Sequence, residues 1–209
     1  MRSATDTEKK HAQSIFHDAT FLLENLLRIL KENHEFSNHS SNLSKTTNKE
    51  FIEVVSWPSS QEEFQNWLGN VLPYQPNENH ITEYWNMLLR SNYSLPLSFK
   101  LDGRFTGYAE LNFNNHTFGG CRLEKFIIGP QSNRHKGHGS KFLKELERFV
   151  FDVLCFHRLD LFVVERNVVA KNLYIKRGFQ SEGVMKESRC YDNTFFDIEI
   201  MAKLKASST

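Results

Sequence analysis

Residues 127–141 have the sequence IIGPQSNRHKGHGSK, in which a short apolar strand end leads into a turn with two glycines and then into a helical pattern. Gly137 and Gly139 allow the backbone to approach a bulky ligand closely, and the first N–H groups of the helix that follows have no intrahelical partners. Arg134 and Lys136 add positive charge beside this turn. The stretch therefore predicts an anion site suited to a phosphate group.

Two other phosphate-binding glycine loops do not fit this turn. A dinucleotide-binding loop needs a third glycine at the position of Phe142, and a nucleotide-triphosphate loop needs lysine and then serine or threonine, where Gly137 is followed by His138 and Gly139. Taken alone, the stretch is also compatible with a strand-to-helix turn that carries solvated basic residues. A second motif is therefore needed to identify the ligand.

Length and charge set the broad class of the protein. The 209 residues suffice for one domain, or for a domain with an extension, and 26 basic against 25 acidic residues leave a net charge of +1. No global field therefore favours nucleic acid or an anionic membrane as a partner. Cys121, Cys155 and Cys190 are far apart in the sequence, so we expect buried cysteines in a cytoplasmic protein rather than a disulfide framework or a zinc site.

The N-terminal segment predicts an amphipathic helix. Its start is polar, and charged and amide side chains interrupt the apolar run that follows, so we expect neither a signal peptide nor a membrane span. Apolar residues repeat at helical spacing over Ile15–Leu30. Such a stripe can pack on its own domain, form a homodimer contact or bind a partner.

A polar stretch separates this helix from the rest of the chain. Asn33–Lys49 is rich in serine, asparagine and threonine, which predicts a linker. We therefore expect an N-terminal segment over residues 1–45 and a main domain over residues 46–209.

The main domain has an alternating pattern of strands and helices. Phe51–Trp57 predicts a first strand, and a capping pattern at residues 59–62 and the apolar spacing over Ile81–Leu89 predict two helices. Asp102-Gly103 predicts a hairpin between two strands, and a third strand follows over Cys121–Ile128. The remaining elements are a helix to about Val153, a strand over His157–Val164, a helix over Val168–Lys176, and strands near Phe179–Lys186 and Thr194–Lys203. This order predicts an α+β fold with one parallel crossover around the glycine turn, and a ligand at the carboxyl ends of the strands.

The second motif covers residues 167–179, NVVAKNLYIKRGF. Asn167 is placed to cap a helix, Ala170, Leu173 and Tyr174 share one helical face, and Gly178 is a natural helix end. Taken alone, these residues predict a capped helix with an amphipathic tyrosine on it.

The two motifs together, in this order, resemble those of the GNAT superfamily of acyl-CoA-dependent N-acetyltransferases. Arg134-x-x-Gly137-x-Gly139 is similar to the family's pyrophosphate loop, and residues 167–179 are similar to its later cofactor-side helix. The resemblance covers about residues 51–204 and implies a mostly antiparallel central sheet flanked by helices. The resemblance is closest to bacterial enzymes that acetylate the N-termini of ribosomal proteins and to relatives that act on small amines. The residues that carry this closer resemblance are Glu182-Gly183, Asp197-Ile198 and Met201.

This resemblance implies acetyl-CoA as the donor and assigns its binding residues. Backbone groups of Ile127 and Ile128 would meet the acetyl carbonyl and the pantetheine arm, and Tyr174 would protonate the departing thiolate. Side chains of Asn167 and Asn172 would contact the cofactor. The pyrophosphate would be held by the turn, namely Arg134, His135, Lys136, Gly137, His138, Gly139 and Ser140.

The sequence does not identify a single residue as the general base. Relatives with a glutamate on the fifth strand would place it at Phe162, and those with one on the fourth strand would place it nearest Leu123, one residue from Glu124. A one-residue shift turns a strand side chain to the opposite face, which disfavours Glu124. Glu110 on the preceding strand and a water chain are the other candidates, and each glutamate is also compatible with a solvated strand position.

The sequence thus favours an N-acetyltransferase in which an amine attacks acetyl-CoA directly in a ternary complex. A protein N-terminus, a polyamine and another small amine remain open as acceptors, and a catalytically weak acyl-CoA-binding module is the alternative. His135 and His138 lack partners at metal-ligand spacing, so no metal is expected. Arg189, Tyr191 and Asp192 predict a surface loop, although they could reach the acceptor pocket.

Overall fold

The computed structural model describes residues 42–91, 93–114 and 119–206. The predicted helix over Ile15–Leu30 lies outside these residues. The division of the chain between residues 45 and 46 therefore stays a prediction.

Three helices open the described chain, and each begins at a side-chain cap. They are α1 (Asn48–Val55), α2 (Gln61–Leu68) and α3 (Glu78–Arg90). The cap side chains of Thr47, Ser60 and Asn77 each accept a hydrogen bond from a backbone N–H of the first turn. The apolar faces of the three helices pack together and against one face of the sheet, through Phe51, Val54, Phe64, Trp67, Tyr84, Trp85, Tyr108 and Ile127.

Two predictions for this region are wrong. Phe51–Trp57 was expected to be a strand, but residues 48–55 form α1, whose capping box joins Thr47 and Glu50. The spacing of that pair in the sequence is the signal for the helix. The predicted linker also ends too late, because the strand β1 (Leu43–Lys45) pairs with β2.

The central sheet has seven strands in the order β1-β2-β3-β4-β5-β7-β6. Within the described sheet, β4 and β5 form a parallel pair and the other neighbours are antiparallel. The prediction of a mostly antiparallel α+β fold is thereby confirmed. After β1, the strands are β2 (Ser94–Leu101), β3 (Arg104–Asn112), β4 (Gly120–Ile128), β5 (Arg158–Val164), β6 (Gln180–Tyr191) and β7 (Thr194–Leu204).

Two further helices cover the other face of the sheet. They are α4 (His138–Arg148), which continues into a π-helical turn, and α5 (Val168–Lys176), whose bounds match the prediction. Phe142 of α4 stacks on Phe99 of β2 and on Phe126 of β4, with ring centroids 4.8 and 4.9 Å apart. Ile127, the next residue of β4, instead packs with α1–α3. The sheet is therefore the middle of three layers.

The expected burial of the cysteines is met only in part. Cys121 is buried as expected, whereas Cys155 is exposed, so the prediction of buried cysteines is wrong there.

In the part of the chain that the structure describes, every helix is too short or too polar to cross a membrane.

Candidate active site

A cavity opens where β4 and β5 diverge. The two strands pair over Gly120–Leu123 and Arg158–Leu161. Beyond this point, in the described sheet, the rest of β4 pairs with β3 and Phe162–Val164 of β5 pairs with β7. Backbone groups on the facing edges are therefore left for a ligand. The cavity between them has a volume of about 940 Å³ and also reaches α2, the start of α4 and α5.

A bulge in β4 widens this opening. Tyr108 and Glu110 of β3 pair with Ile127 and Glu124, so two residues of β4 oppose one residue of β3. The first of the two, Lys125, has a φ of 50°, and its carbonyl oxygen accepts a hydrogen bond of 2.6 Å from Nε1 of Trp67. A bulge of this kind bends its strand and locally disrupts the ladder. The bulge therefore lies at the mouth of the gap between β4 and β5.

Glu124 lines the cavity, although the alternation of a regular strand disfavoured it. Because of the extra residue at Lys125, Glu124 and Ile127 pair with Glu110 and Tyr108 and share one face of the sheet, so regular alternation does not hold across this stretch. Nδ2 of Asn112 lies 3.4 Å from Oε2 of Glu124, and no ion pair among the described residues holds this carboxylate. Glu124 is therefore a carboxylate that is free to meet a ligand.

Glu110, the other candidate base, lies outside the cavity lining. It is 2% exposed, and its Oε1 accepts hydrogen bonds from the hydroxyls of Tyr84 at 3.0 Å and Tyr108 at 2.7 Å. Burial raises the pKa of the Glu110 carboxyl, although the two tyrosine hydroxyls oppose that shift. The two glutamates differ in their surroundings, since Glu124 is among the residues that line the cavity and Glu110 is buried against Tyr84 of α3.

The start of α4 forms the second wall. Gly137 is the N-cap residue, has a φ of 77° and provides no side-chain cap. The N–H groups of the first helical turn are therefore available to an anion. Gly139 allows α4 to pack closely, because an added Cβ would lie 3.3 Å from Cδ2 of Leu173. Nδ1 of His138 is buried, and among the described residues it has no hydrogen-bond partner.

Arg134 and Lys136, the basic residues of the turn, were expected to supply positive charge for a phosphate. Nε of Arg134 donates to the carbonyl oxygen of Ile128 at 2.8 Å, and the same guanidinium pairs with Glu63 of α2. Arg134 thus ties the turn to α2. The Lys136 side chain is exposed and lies outside the cavity lining.

Helix α5 supplies the third wall. Oδ1 of Asn167 accepts from the backbone N–H of Ala170 at 3.2 Å, which confirms the predicted cap. Tyr174 is 6% exposed and lines the cavity, with its ring packed against Phe126 and Phe179. Burial raises the pKa of the Tyr174 phenol, so the hydroxyl keeps its proton at neutral pH and can act as a donor.

Helix α2 contributes cavity residues that sequence reasoning did not assign to the site, and β6 contributes Arg189, for which the sequence left both a surface loop and the acceptor pocket open. Asn66 and Trp67 line the cavity, and Oδ1 of Asn66 is buried without a hydrogen-bond partner in the described chain. Arg189 also lines the cavity, and Tyr191 donates to the carbonyl oxygen of Gln65 at 2.8 Å, so the prediction of a surface loop is wrong for both. More than 100 positions separate α2 from β6, and no local pattern signals this contact.

The structure brings most of the predicted site residues to one cavity. The predicted residues that line it are Glu124, Ile127, Ile128, Arg134, His135, Gly137, His138, Gly139, Ser140, Asn167, Asn172 and Tyr174. Two that do not are Lys136 and Glu110. The roles of all these residues remain predictions at this point.

Solved structures with a similar fold include three acetyltransferases. The spermidine N-acetyltransferase from Vibrio cholerae, in a complex with CoA and spermine, superposes with a TM-score of 0.67 at 19% identity, over 78% of this chain and 94% of that chain. A spermidine/spermine N-acetyltransferase from Vibrio cholerae, in complex with manganese ions, gives 0.61 at 20% identity, over 78% and 91%. An acetyltransferase of the GNAT family from Streptococcus pneumoniae gives 0.57 at 22% identity, over 78% and 98%.

The acyl donor of these enzymes also fits the cavity chemically. The first N–H groups of α4 suit a pyrophosphate, and the open backbone edge of β4 suits the amide-containing arm that precedes a thioester. The family model described as the acetyltransferase (GNAT) family matches residues 57–179, which is more than half of the chain. The chain therefore belongs to the GNAT acetyltransferase family and is an N-acetyltransferase that uses acetyl-CoA.

Proposed function

We propose that the protein transfers the acetyl group to a primary amine by direct attack, with donor and acceptor held together in the cavity. The observation that carries this proposal is that Glu124, Tyr174 and the open N-terminus of α4 share one cavity. Amine attack on a thioester needs a neutral amine, hydrogen-bond donors for the developing oxyanion and a proton for the leaving sulfur. Glu124 can meet the first of these requirements and Tyr174 the third, and the open N-terminus of α4 binds the donor.

The donor is bound on the side of α4 and α5. N–H groups of residues 138–140 hold the pyrophosphate, and the exposed edge of β4 at Ile127 and Ile128 runs along the pantetheine arm. Oδ1 of Asn167 caps α5, which leaves its Nδ2 to donate to the arm. Arg134 holds the turn in place through Ile128 and Glu63 rather than contacting phosphate directly. Acetyl-CoA, when bound, supplies the thioester whose carbonyl carbon the amine attacks.

Glu124 is the general base. Glu124 lines the cavity and has no ion-pair partner in the described chain, and in this proposal its carboxylate accepts the amine proton directly or through one water. Glu110 does not take this role, because two tyrosine hydroxyls occupy its Oε1 and it lies outside the cavity. Cys121 is buried and absent from the lining, which supports transfer without an acetyl-cysteine intermediate.

Tyr174 is the general acid, and its removal should have a moderate effect. We expect Tyr174→Phe to lower kcat by about 10- to 100-fold with little change in the KM for acetyl-CoA, because a thiol of pKa about 8.5 can leave partly unprotonated. Tyr84→Phe is the matched control, since Tyr84 is also buried but lies outside the cavity lining. Steady-state kinetics from pH 6 to 9 is the measurement. Unchanged turnover of the Tyr174 variant across this range would remove Tyr174 from the mechanism.

The charges of the cavity favour an acceptor of low positive charge. Its carboxylates are Glu62, Glu63 and Glu124, and Glu62 and Glu63 are paired with Arg166 and Arg134. Its arginine and lysine side chains outnumber these carboxylates, namely Arg122, Lys125, Arg134, Lys176 and Arg189. The cavity lining therefore lacks the excess of carboxylates that would attract a polyamine with three or more charges.

We infer that the acceptor is a protein or peptide α-amine. The pKa of an α-amine is about 7.7–8.0, so far more of it is neutral at pH 7 than of an alkyl amine of pKa about 10.4. The unpartnered Oδ1 of Asn66 on α2 can accept a hydrogen bond from such an amine. The resemblance of the sequence to acetyltransferases of ribosomal-protein N-termini agrees with this choice.

An amine panel tests the acceptor. Release of CoA thiol from acetyl-CoA is followed with short peptides that have free N-termini, the same peptides with blocked N-termini, spermidine and glucosamine. We expect the highest kcat/KM with a free peptide N-terminus. A higher value for spermidine would overturn the α-amine assignment. Tight CoA binding without thiol release from any amine would instead indicate an acyl-CoA-binding module.

A further inference from the structure

The indole of Trp67 reaches the bulge of β4 from α2. Its Nε1 donates to the carbonyl oxygen of Lys125 over 2.6 Å, and 58 positions separate the two residues in the sequence. The ring itself is 8% exposed and packs edge-on against Phe64 and Tyr108. A buried indole N–H needs an acceptor, and here the acceptor belongs to the bulged residue.

This hydrogen bond fixes the orientation of one peptide group. Lys125 and Phe126 together oppose Ala109 of β3, so regular ladder pairing does not determine how the Lys125–Phe126 peptide is turned. A trans peptide is planar, and its N–H points away from its C=O. Because the Lys125 carbonyl points toward α2, the N–H of Phe126 points toward the opposite side of the sheet.

The opposite side is where α4 and α5 lie. The Phe126 ring stacks on Phe142 of α4 at 4.9 Å and meets the ring of Tyr174 of α5 at 6.3 Å. Phe126 and Tyr174 both line the cavity. The Phe126 N–H is therefore directed toward the side of the sheet on which Tyr174 lies.

We propose that Trp67 is a positioning residue for acetyl transfer, because its indole N–H holds the Lys125–Phe126 peptide so that the Phe126 N–H polarises the thioester carbonyl. Trp67 acts through the backbone and does not touch the acetyl group. The inference rests on the proposed function and deepens it, since it names the hydrogen bond that orients the backbone N–H donating to the oxyanion.

The test compares Trp67→Phe with Trp85→Phe. Trp85 is a matched control, because it belongs to the same core cluster, is similarly buried and stacks on Phe51 at 5.3 Å. We expect Trp67→Phe to lower kcat about 10-fold while the Kd of CoA, which lacks the acetyl group, stays at the wild-type value. Trp85→Phe should leave both quantities near wild type, apart from a lower Tm shared by the two variants.

An infrared measurement separates positioning from a general loss of structure. Acetyl-CoA labelled with ¹³C at the carbonyl is bound at saturation without an amine, and its C=O band is compared with that of free acetyl-CoA. We expect a lower frequency in the wild type and in Trp85→Phe, and a return toward the free value in Trp67→Phe. If Trp67→Phe fails to fold, benzothienylalanine at position 67 keeps the shape and removes only the N–H.

The possible results distinguish this inference from the proposed function. Equal bands and equal kcat in the position-67 and Trp85 variants would overturn the role of Trp67 and leave acetyl transfer standing. Absence of any bound carbonyl band in the wild-type protein would overturn the acyl-CoA assignment, and the inference with it.

Discussion

Gly137→Asp should weaken the binding of CoA about 100-fold, so that little is bound at concentrations that saturate the wild-type protein. Gly137 is the N-cap of α4, and its open side leaves the first N–H groups of that helix to the pyrophosphate. A carboxylate at this point cancels the positive end of the helix dipole and repels the diphosphate. Repulsion on the order of 2–3 kcal/mol corresponds to a Kd about 100-fold weaker. Isothermal calorimetry with CoA measures this value directly.

Gly103→Asp provides the matched control for this experiment. Gly103 has a φ of 73°, close to the 77° of Gly137, and a Cβ added at either residue meets no atom within 4 Å. The two variants therefore carry the same backbone cost, about 1–2 kcal/mol, and differ in whether the new charge faces the cavity. Gly103→Asp should bind CoA normally. Normal binding by Gly137→Asp as well would contradict the assignment of the turn to the pyrophosphate.

The sequence was most informative where a structure is set by neighbouring residues. Asn167 and Gly178 define α5, and Asp102-Gly103 defines the β2–β3 hairpin, because a cap and a turn depend on side chains a few positions away. The same reasoning failed at α1, whose β-branched and aromatic residues suggested a strand although the capping box of Thr47 and Glu50 predicts a helix.

The site was harder to predict because its decisive contacts join distant segments. Arg134 pairs with Glu63 across 71 positions, so its charge is used within the protein. The bulge at Lys125 has no local signature, since a lysine at a positive φ is held there by surrounding structure, including Trp67 of α2. That single extra residue places Glu124 and Ile127 on the same face of the sheet, which regular alternation does not predict for residues three apart.

The cavity lining indicates which of the two glutamates should matter for catalysis. Glu110 and Glu124 pair directly across β3 and β4, yet only Glu124 lines the cavity. We therefore expect Glu124→Gln to lower kcat about 100- to 1000-fold at pH 7, the range typical of a lost general base, without changing the Kd of acetyl-CoA. Glu110→Gln should stay within a few-fold of the wild-type kcat.

The pH profile gives the Glu124 variant a second, independent readout. A base is needed to remove a proton from the attacking amine, and an α-amine loses that proton to solvent above its pKa of about 8. The deficit of Glu124→Gln should therefore shrink between pH 7 and pH 9.5, measured as the ratio of wild-type to variant kcat/KM. A deficit that is constant over this range would mean that Glu124 orients the acceptor without taking its proton. A larger loss in Glu110→Gln than in Glu124→Gln would instead contradict the assignment of the base.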